Sequence, residues 1–125
     1  CQDYDVRGIA YDRWGMPELR AILEREEIGE LPLLDWGQGF ASMGPAVNAF
    51  ETALLERKLQ HGMHPVLRWC ASNLVFDVDP AGGRKPNKAR SIDRIDGMSA
   101  LIMACGIAAK NEGETAYRGG GPMWL

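Results

Sequence analysis

Two aspartates have surroundings that would let them do chemistry. Asp12 closes the apolar run Val6-Arg7-Gly8-Ile9-Ala10-Tyr11, which reads as a buried strand with a carboxylate at its C-terminal end. Asp96 stands just ahead of the apolar stretch Met98 to Lys110, which reads as a helix buried nearly all round. Carboxylates at strand ends and helix starts converge where an α/β sheet holds its ligand. Hard divalent cations need oxygen ligands, and two such ions about 4 Å apart can activate a water and stabilise the leaving oxygen in phosphodiester hydrolysis. The same residues also have an ordinary reading, with Asp12 as a turn former and Asp93 or Asp96 as a helix cap. Asp93, three residues before Asp96, would share its helical face if the helix began that early, and otherwise serves as the N-cap.

Arg84, Lys85, Lys88 and Arg90 form the dense basic patch of the chain, on an expected hairpin. Such a hairpin could grip phosphates, or its cations could simply guard a sheet edge. His61, His64 and Cys70 resemble part of a zinc cluster, but a fourth ligand at suitable spacing is missing. Trp14, Trp36 and Trp69 read as core rather than as stacking platforms. Gly37-Gln38-Gly39 before a helix could approach a phosphate, although a lone GxG is usually a turn. Cys70 and Cys105 fall in apolar helices, where the thiolate is disfavoured.

The elements that must position these residues alternate between strand and helix. After the first strand, Pro17 fits the first helical position, Leu19, Ile22 and Leu23 share a face, and Gly29 supplies a stop. Leu31 to Trp36 reads as the next strand, which makes a right-handed βαβ unit and a partly parallel sheet. A second amphipathic helix puts Met43, Val47, Phe50, Ala53 and Leu54 on one stripe facing the sheet. His64-Pro65 opens a short helix, Leu74 to Asp79 alternates as a strand, and Pro80-Ala81-Gly82-Gly83 turns it back through Arg84 to Arg90. Residues 111–125, which contain the run Gly119-Gly120-Gly121-Pro122, are expected to be a flexible tail after a domain spanning 1–110.

Length and charge limit the alternatives. A chain of 125 residues holds one core and no separate nucleotide-binding module. Its 14 basic and 17 acidic residues give a net charge of -3, so any nucleic-acid contact must be local. Three cysteines without a CxxC pair suit a reducing compartment, and neither a signal peptide nor a membrane span is evident.

A family likeness emerges from several short strings taken in order: Ile9-Ala10-Tyr11-Asp12-Arg13-Trp14, Gly37-Gln38-Gly39-Phe40, His64-Pro65-Val66-Leu67-Arg68-Trp69, Asn73-Leu74-Val75, Lys85-Pro86-Asn87-Lys88-Ala89-Arg90, and Ile95-Asp96-Gly97-Met98-Ser99-Ala100-Leu101-Ile102-Met103-Ala104. Over residues 4 to 110 the series closely resembles the C-terminal nuclease region of the large terminase subunit of tailed phages and prophages.

That resemblance implies an α/β, ribonuclease-H-like mixed sheet flanked by helices. Its acidic cluster would bind Mg²⁺ or Mn²⁺ and cut double-stranded DNA concatemers during packaging in the host bacterial cytoplasm. By the same resemblance Asp12 and Asp96 take the second and third acidic positions. Asp93, from its spacing to Asp96, is a further metal candidate, and Arg84, Lys85, Lys88 and Arg90, from their clustered charge, are the candidate DNA contacts. The first acid has no counterpart, residues 1 to 5 look like the end of a connecting helix, and no P-loop is present. The chain is therefore expected to lack the N-terminal strands of that fold and to cleave weakly or not at all alone. Implied partners are double-stranded DNA, the small terminase subunit and the portal protein. The competing reading is a non-catalytic docking module for the portal or small subunit.

Overall fold

The computed structural model describes residues 5–13 and 16–119, with side chains as far as Glu112. Residues 1–4, Trp14, Gly15 and residues 120–125 lie outside the described residues, and with them most of the expected connecting helix, one tryptophan and the end of the expected tail. The elements are β1 (Ile9–Tyr11), α1 (Met16–Arg25), β2 (Leu33–Asp35), α2 (Phe40–Leu55), α3 (Pro65–Asn73), β3 (Phe76–Val78), β4 (Arg84–Pro86) and α4 (Asp96–Gly119). The order is the α/β alternation read from the pattern.

The βαβ unit is present, with β1 and β2 parallel and Ile9, Ala10 and Tyr11 opposite Leu33, Leu34 and Asp35. β3 and β4 form the expected antiparallel hairpin, Asp77 facing Lys85. Its turn closes when Gly83 N–H donates to Asp79 Oδ1 at 2.6 Å, and Gly82 takes the positive φ of 85° that an L side chain resists. The single mixed sheet of the expectation is corrected: among the described residues there are two separate two-stranded sheets. No described strand bridges them, and α2 packs against the hairpin, where a Cβ on its Gly44 would lie about 4 Å from the Arg84 backbone.

The core forms where α2 meets α4. Met43, Ala46 and Val47 of α2 pack with Ile102 and Ile107 of α4 and with Trp36, just beyond β2. Ala10, Phe50, Phe76 and Met103 surround this cluster. The two helices approach closely because position 106 is glycine: a Cβ there would fall 2.7 Å from Trp36 Cζ2 and 2.8 Å from the Ala46 Cβ.

Several boundaries and burials differ from expectation. α4 continues to Gly119 rather than stopping at Lys110. It is buried along one face only, through Met98, Ser99, Ile102, Gly106 and Ile107, while Ala100, Ala104 and Ala108 are exposed. An all-apolar pattern does not reveal which small side chains face out, because alanine exposes little area wherever it points. α1 forms as expected but buries only Met16, and Leu19 and Ile22 remain about half exposed. Its stop is set by Glu27 in a left-handed conformation, with Ile28 N–H donating to Leu23 O and Glu27 N–H to Glu24 O, rather than by Gly29. Trp36 is core as read, but Trp69 is 45% exposed. No helix among the described residues is long and apolar enough to cross a membrane.

Removing the side chain at the centre of the α2–α4 contact should be costly. Ile102 is fully buried, so Ile102→Ala is expected to lower unfolding free energy by about 2–5 kcal/mol in urea denaturation. Gly106→Ala should also destabilise, although alanine is the better helix former, because overpacking costs roughly 1–3 kcal/mol. Wild-type midpoints for both variants would contradict this packing.

Candidate functional site

Asp96 is the first residue of α4, and its neighbours explain its outward position. Ile95 is 1% exposed and anchors the chain in the interior. Its carbonyl accepts from Met98 N–H and Ser99 N–H at 3.0 Å each, so the residue capping the helix is Ile95. Gly97 lies against Cys70 and Leu67 of α3. The buried amide of Asn73 donates to Arg94 O at 3.1 Å, fastening the segment that precedes the helix to α3. With Ile95 turned in and Gly97 held on α3, the intervening Asp96 carboxylate is left at the surface.

Asp93 lies before the helix, and its Oδ1 accepts from the adjacent Arg94 N–H at 2.8 Å. Both its expected N-cap role and its place on the helical face of Asp96 are corrected by the later helix start. Asp93 nevertheless lines one open cavity of about 370 Å³ with Lys88, Ser91, Arg94, Ile95 and Asp96.

Lys88 Nζ donates to Asp96 Oδ1 at 2.8 Å. That hydrogen bond, then the lysine charge, with a smaller effect from Arg94, holds the Asp96 carboxyl below the ordinary aspartate range. Lys88 is presented by a turn that the sequence reading did not single out. Asn87 Nδ2 donates to Asp77 Oδ2 at 2.8 Å, and Asn87 Oδ1 accepts from Arg90 N–H at 3.0 Å. Arg90 Nη1 reaches the other Asp77 oxygen at 3.1 Å. The Asn87 hydrogen bond, followed by the hydrogen bond and charge of Arg90, keeps the Asp77 carboxyl low against its partial desolvation. The signal available in sequence was an acid at the centre of an alternating strand with an asparagine just past its hairpin partner.

The basic patch is therefore not a uniform surface. Arg84 pairs with Glu51 of α2, donates to Asn48 and lies over the Phe76 ring, so it ties the hairpin to α2. Arg90 is committed to Asp77. Lys85 stands over the Phe40 ring, 4.8 Å from its centroid, and Lys88 faces Asp96.

Asp12 is exposed immediately after β1, where Arg13 Nε reaches Asp35 Oδ1 at 3.3 Å and joins the ends of the two parallel strands. The unit lies along α4: Gly8 sits against Ile107, while Gln38, beyond β2, donates to Met103 Sδ at 3.5 Å, one helical turn nearer Asp96. Asp12 does not line the Asp96 cavity. Among the described residues no group of three or more His, Cys, Asp or Glu side chains is placed to hold a metal ion. The two carboxylates are nevertheless hard oxygen donors of the type Mg²⁺ uses, since that ion keeps several waters and takes one or two carboxylates plus substrate phosphate oxygens. Of the three residues set aside as an incomplete zinc cluster, His61 Nδ1 accepts from Met63 N–H, His64 Nδ1 accepts from Val66 N–H as the cap of α3, and Cys70 is buried. Burial pushes the Cys105 thiol up, in keeping with an inert cysteine.

The sequence model of the family described as terminase large subunit, endonuclease domain, matches residues 1–112. The terminase large subunit of Enterobacteria phage HK97 is 44% identical over 119 residues, which is 94% of this chain and 23% of that protein. Protein YmfN of Escherichia coli K12 is 30% identical over 105 residues, 82% of this chain and 22% of its own length. The crystal structure of the HK97 large terminase superposes with a TM-score of 0.78 at 43% identity, covering 85% of this chain and 22% of that one. The chain thus spans less than a quarter of the length of these relatives.

The Lys88–Asp96 contact makes a titration measurable. The folded carboxyl is depressed, so its contribution to stability is present above the ordinary aspartate pKa and is lost as pH falls through the lowered folded value. Carboxyl ¹³C NMR should show Asp96 titrating below a free aspartate, and Lys88→Met should move it upward. An Asp96 curve indifferent to Lys88→Met would exclude the contact in solution.

Proposed function

The chain belongs to the terminase large subunit endonuclease family, and on that premise we propose that it is the metal-dependent endonuclease portion of a phage or prophage DNA-packaging terminase, acting on double-stranded DNA concatemers in the host bacterial cytoplasm. The observation that carries the reading is the placement of Asp96: an ionised carboxylate held at the surface by Ile95 and Gly97, at the N-terminus of the long core helix, beside an open cavity. The ribonuclease-H-like reading draws support from one parallel and one antiparallel strand pair among packed helices.

In this proposal Asp12 and Asp96 are the carboxylate ligands, and Asp93 is an outer participant across the cavity. A bound Mg²⁺ or Mn²⁺ would supply an activated water and charge stabilisation at the leaving oxygen. Lys88 neutralises Asp96 in the absence of a cation and must release it for a cation to be held, while its ammonium becomes available to a DNA phosphate. Lys85, on β4 beside Phe40, adds a second phosphate contact. Arg84 and Arg90 contribute by holding the hairpin and its turn in shape. With two carboxylates rather than a full cluster, ion affinity is low and cleavage by this chain alone is weak or absent.

A second reading, docking to the portal or small terminase subunit, is favoured by the apolar face that α1 and β2 leave half exposed through Leu19, Ile22, Ile28 and Leu34.

Two measurements separate these readings. Millimolar Mn²⁺ should raise the melting temperature, and Asp96→Asn or Asp12→Asn should abolish the shift; a wild-type chain indifferent to Mn²⁺ favours docking. Lys85→Gln with Lys88→Gln should weaken DNA binding and reduce the log–log salt slope by about two, whereas an unchanged slope would remove these lysines from the interface.

A further inference from the structure

The turn that joins β4 to α4 carries the most solvent-exposed large apolar side chain among the described residues. Ile92 is 87% exposed, where the other exposed ones range from 43% to 75%. A lone apolar side chain at a surface is ordinary. Ile92 differs in how it is held and in what stands beside it.

It sits on a short bridge whose two ends are fixed. On one side the Ser91 hydroxyl and the Ser91 N–H both donate to Asn87 O, at 2.6 and 3.1 Å, and Asn87 is itself bound to Asp77. On the other side Arg94 O accepts from the buried amide of Asn73 at 3.1 Å, and Ile95 is 1% exposed. A side chain presented from so short a bridge has little further backbone freedom to lose on binding, which favours its use as an anchor.

The neighbours of Ile92 define the ligand. Ser91, Asp93, Arg94, Ile95 and Asp96 line the open cavity of the candidate site together with Lys88, whereas Ile92, in the middle of that run, does not. It stands at the rim, in solvent. Arg94 is exposed and pairs with no carboxylate among the described residues. Lys88 and Arg90 belong to the same turn. An aliphatic side chain framed by cations suits the minor groove of duplex DNA, where the cations hold the phosphates and the apolar group is pushed between two base pairs and partly unstacks them. A protein partner asks for a different surface, an apolar patch depleted of charge at its centre, and residues 87–94 hold no large apolar side chain besides Ile92.

We infer that Ile92 is a wedge for duplex DNA, entering a base step beside the cavity and bending the duplex so that a phosphate next to the opened step approaches Asp96. The inference rests on the proposed nuclease reading, whose substrate it shares, and adds to it a source of sequence preference. Pyrimidine–purine steps unstack more easily than stiff A-tracts, so a chain that otherwise grips phosphates would favour such steps.

The test uses the 125-residue chain in EDTA, so that binding is read without cleavage, and a short duplex with 2-aminopurine replacing the adenine of a central TA step. Wild-type binding should raise the 2-aminopurine fluorescence and should be tighter than binding to a duplex with a central A-tract. Ile92→Ser is expected to keep the wild-type melting temperature, to lose the fluorescence rise and to bind the TA duplex about tenfold more weakly. Its log–log salt slope should be unchanged, because no charge is removed. Ile92→Phe, with a larger apolar group, should keep the rise. Wild-type affinity and fluorescence in Ile92→Ser, while Lys85→Gln with Lys88→Gln still lowers the salt slope, overturns the wedge and leaves the nuclease reading standing. A fall in the melting temperature of Ile92→Ser would show a packed rather than a presented side chain and also overturns it. No wild-type binding to either duplex overturns the wedge together with the lysine contacts to DNA, and is read separately from the Mn²⁺ melting shift.

Discussion

The approach of α4 to α2 is the constraint on which the rest depends. Gly106 leaves no room for a Cβ against Trp36 and Ala46, and Ile102 and Ile107 fill the space beside Met43 and Val47. Close-packed interiors tolerate neither voids nor added methyl groups, so this contact fixes the translation of one helix along the other. Once it is fixed, α4 carries Asp96 at its first residue to one end of the molecule and Lys110 to the ring of Trp36.

Strand ends and hairpin then hang from this pair of helices. The parallel strands reach α4 through Ala10, Gly8 and Gln38, and the hairpin reaches α2 through Gly44 and the Arg84–Glu51 pair. Among the described residues both sheets are only two strands wide, and an isolated two-stranded sheet is marginal in water. Their order is therefore borrowed from the helices they cover. It also explains why two of the four clustered cations have structural work: Arg84 joins the hairpin to α2, and Arg90 with Asn87 closes the turn over Asp77.

Electrostatics around Asp96 express the same economy of charge. With a net charge of -3 the chain cannot attract DNA as a whole, so the proposed DNA contact calls for cations placed locally. In the proposed function Lys88 would exchange one partner for another, the Asp96 carboxylate of its own chain for a phosphate of DNA. Both side chains are exposed, and an exposed pair contributes little stability. The pair is accordingly easy to open, as the proposed cation site would require.

Much of the fold was legible in the sequence because it is set by local pattern. Apolar period and turn residues placed eight elements in order, Pro65 behind His64 marked the start of α3, and the Ile-Asp-Gly string marked the start of α4. The candidate acids were legible for the same reason, as carboxylates at predicted element ends. Side-chain partners were not: that Lys88 meets Asp96, that Arg84 meets Glu51, and that Trp36 Nε1 meets no partner among the described residues depend on residues far apart in the chain. Nor could pattern show that Leu19 and Ile22 stay half exposed, or that Ile95 rather than Asp93 caps α4. Periodicity records which face a helix would bury, whereas whether anything covers that face, and which donor finds which acceptor, is decided only when packing brings the elements together.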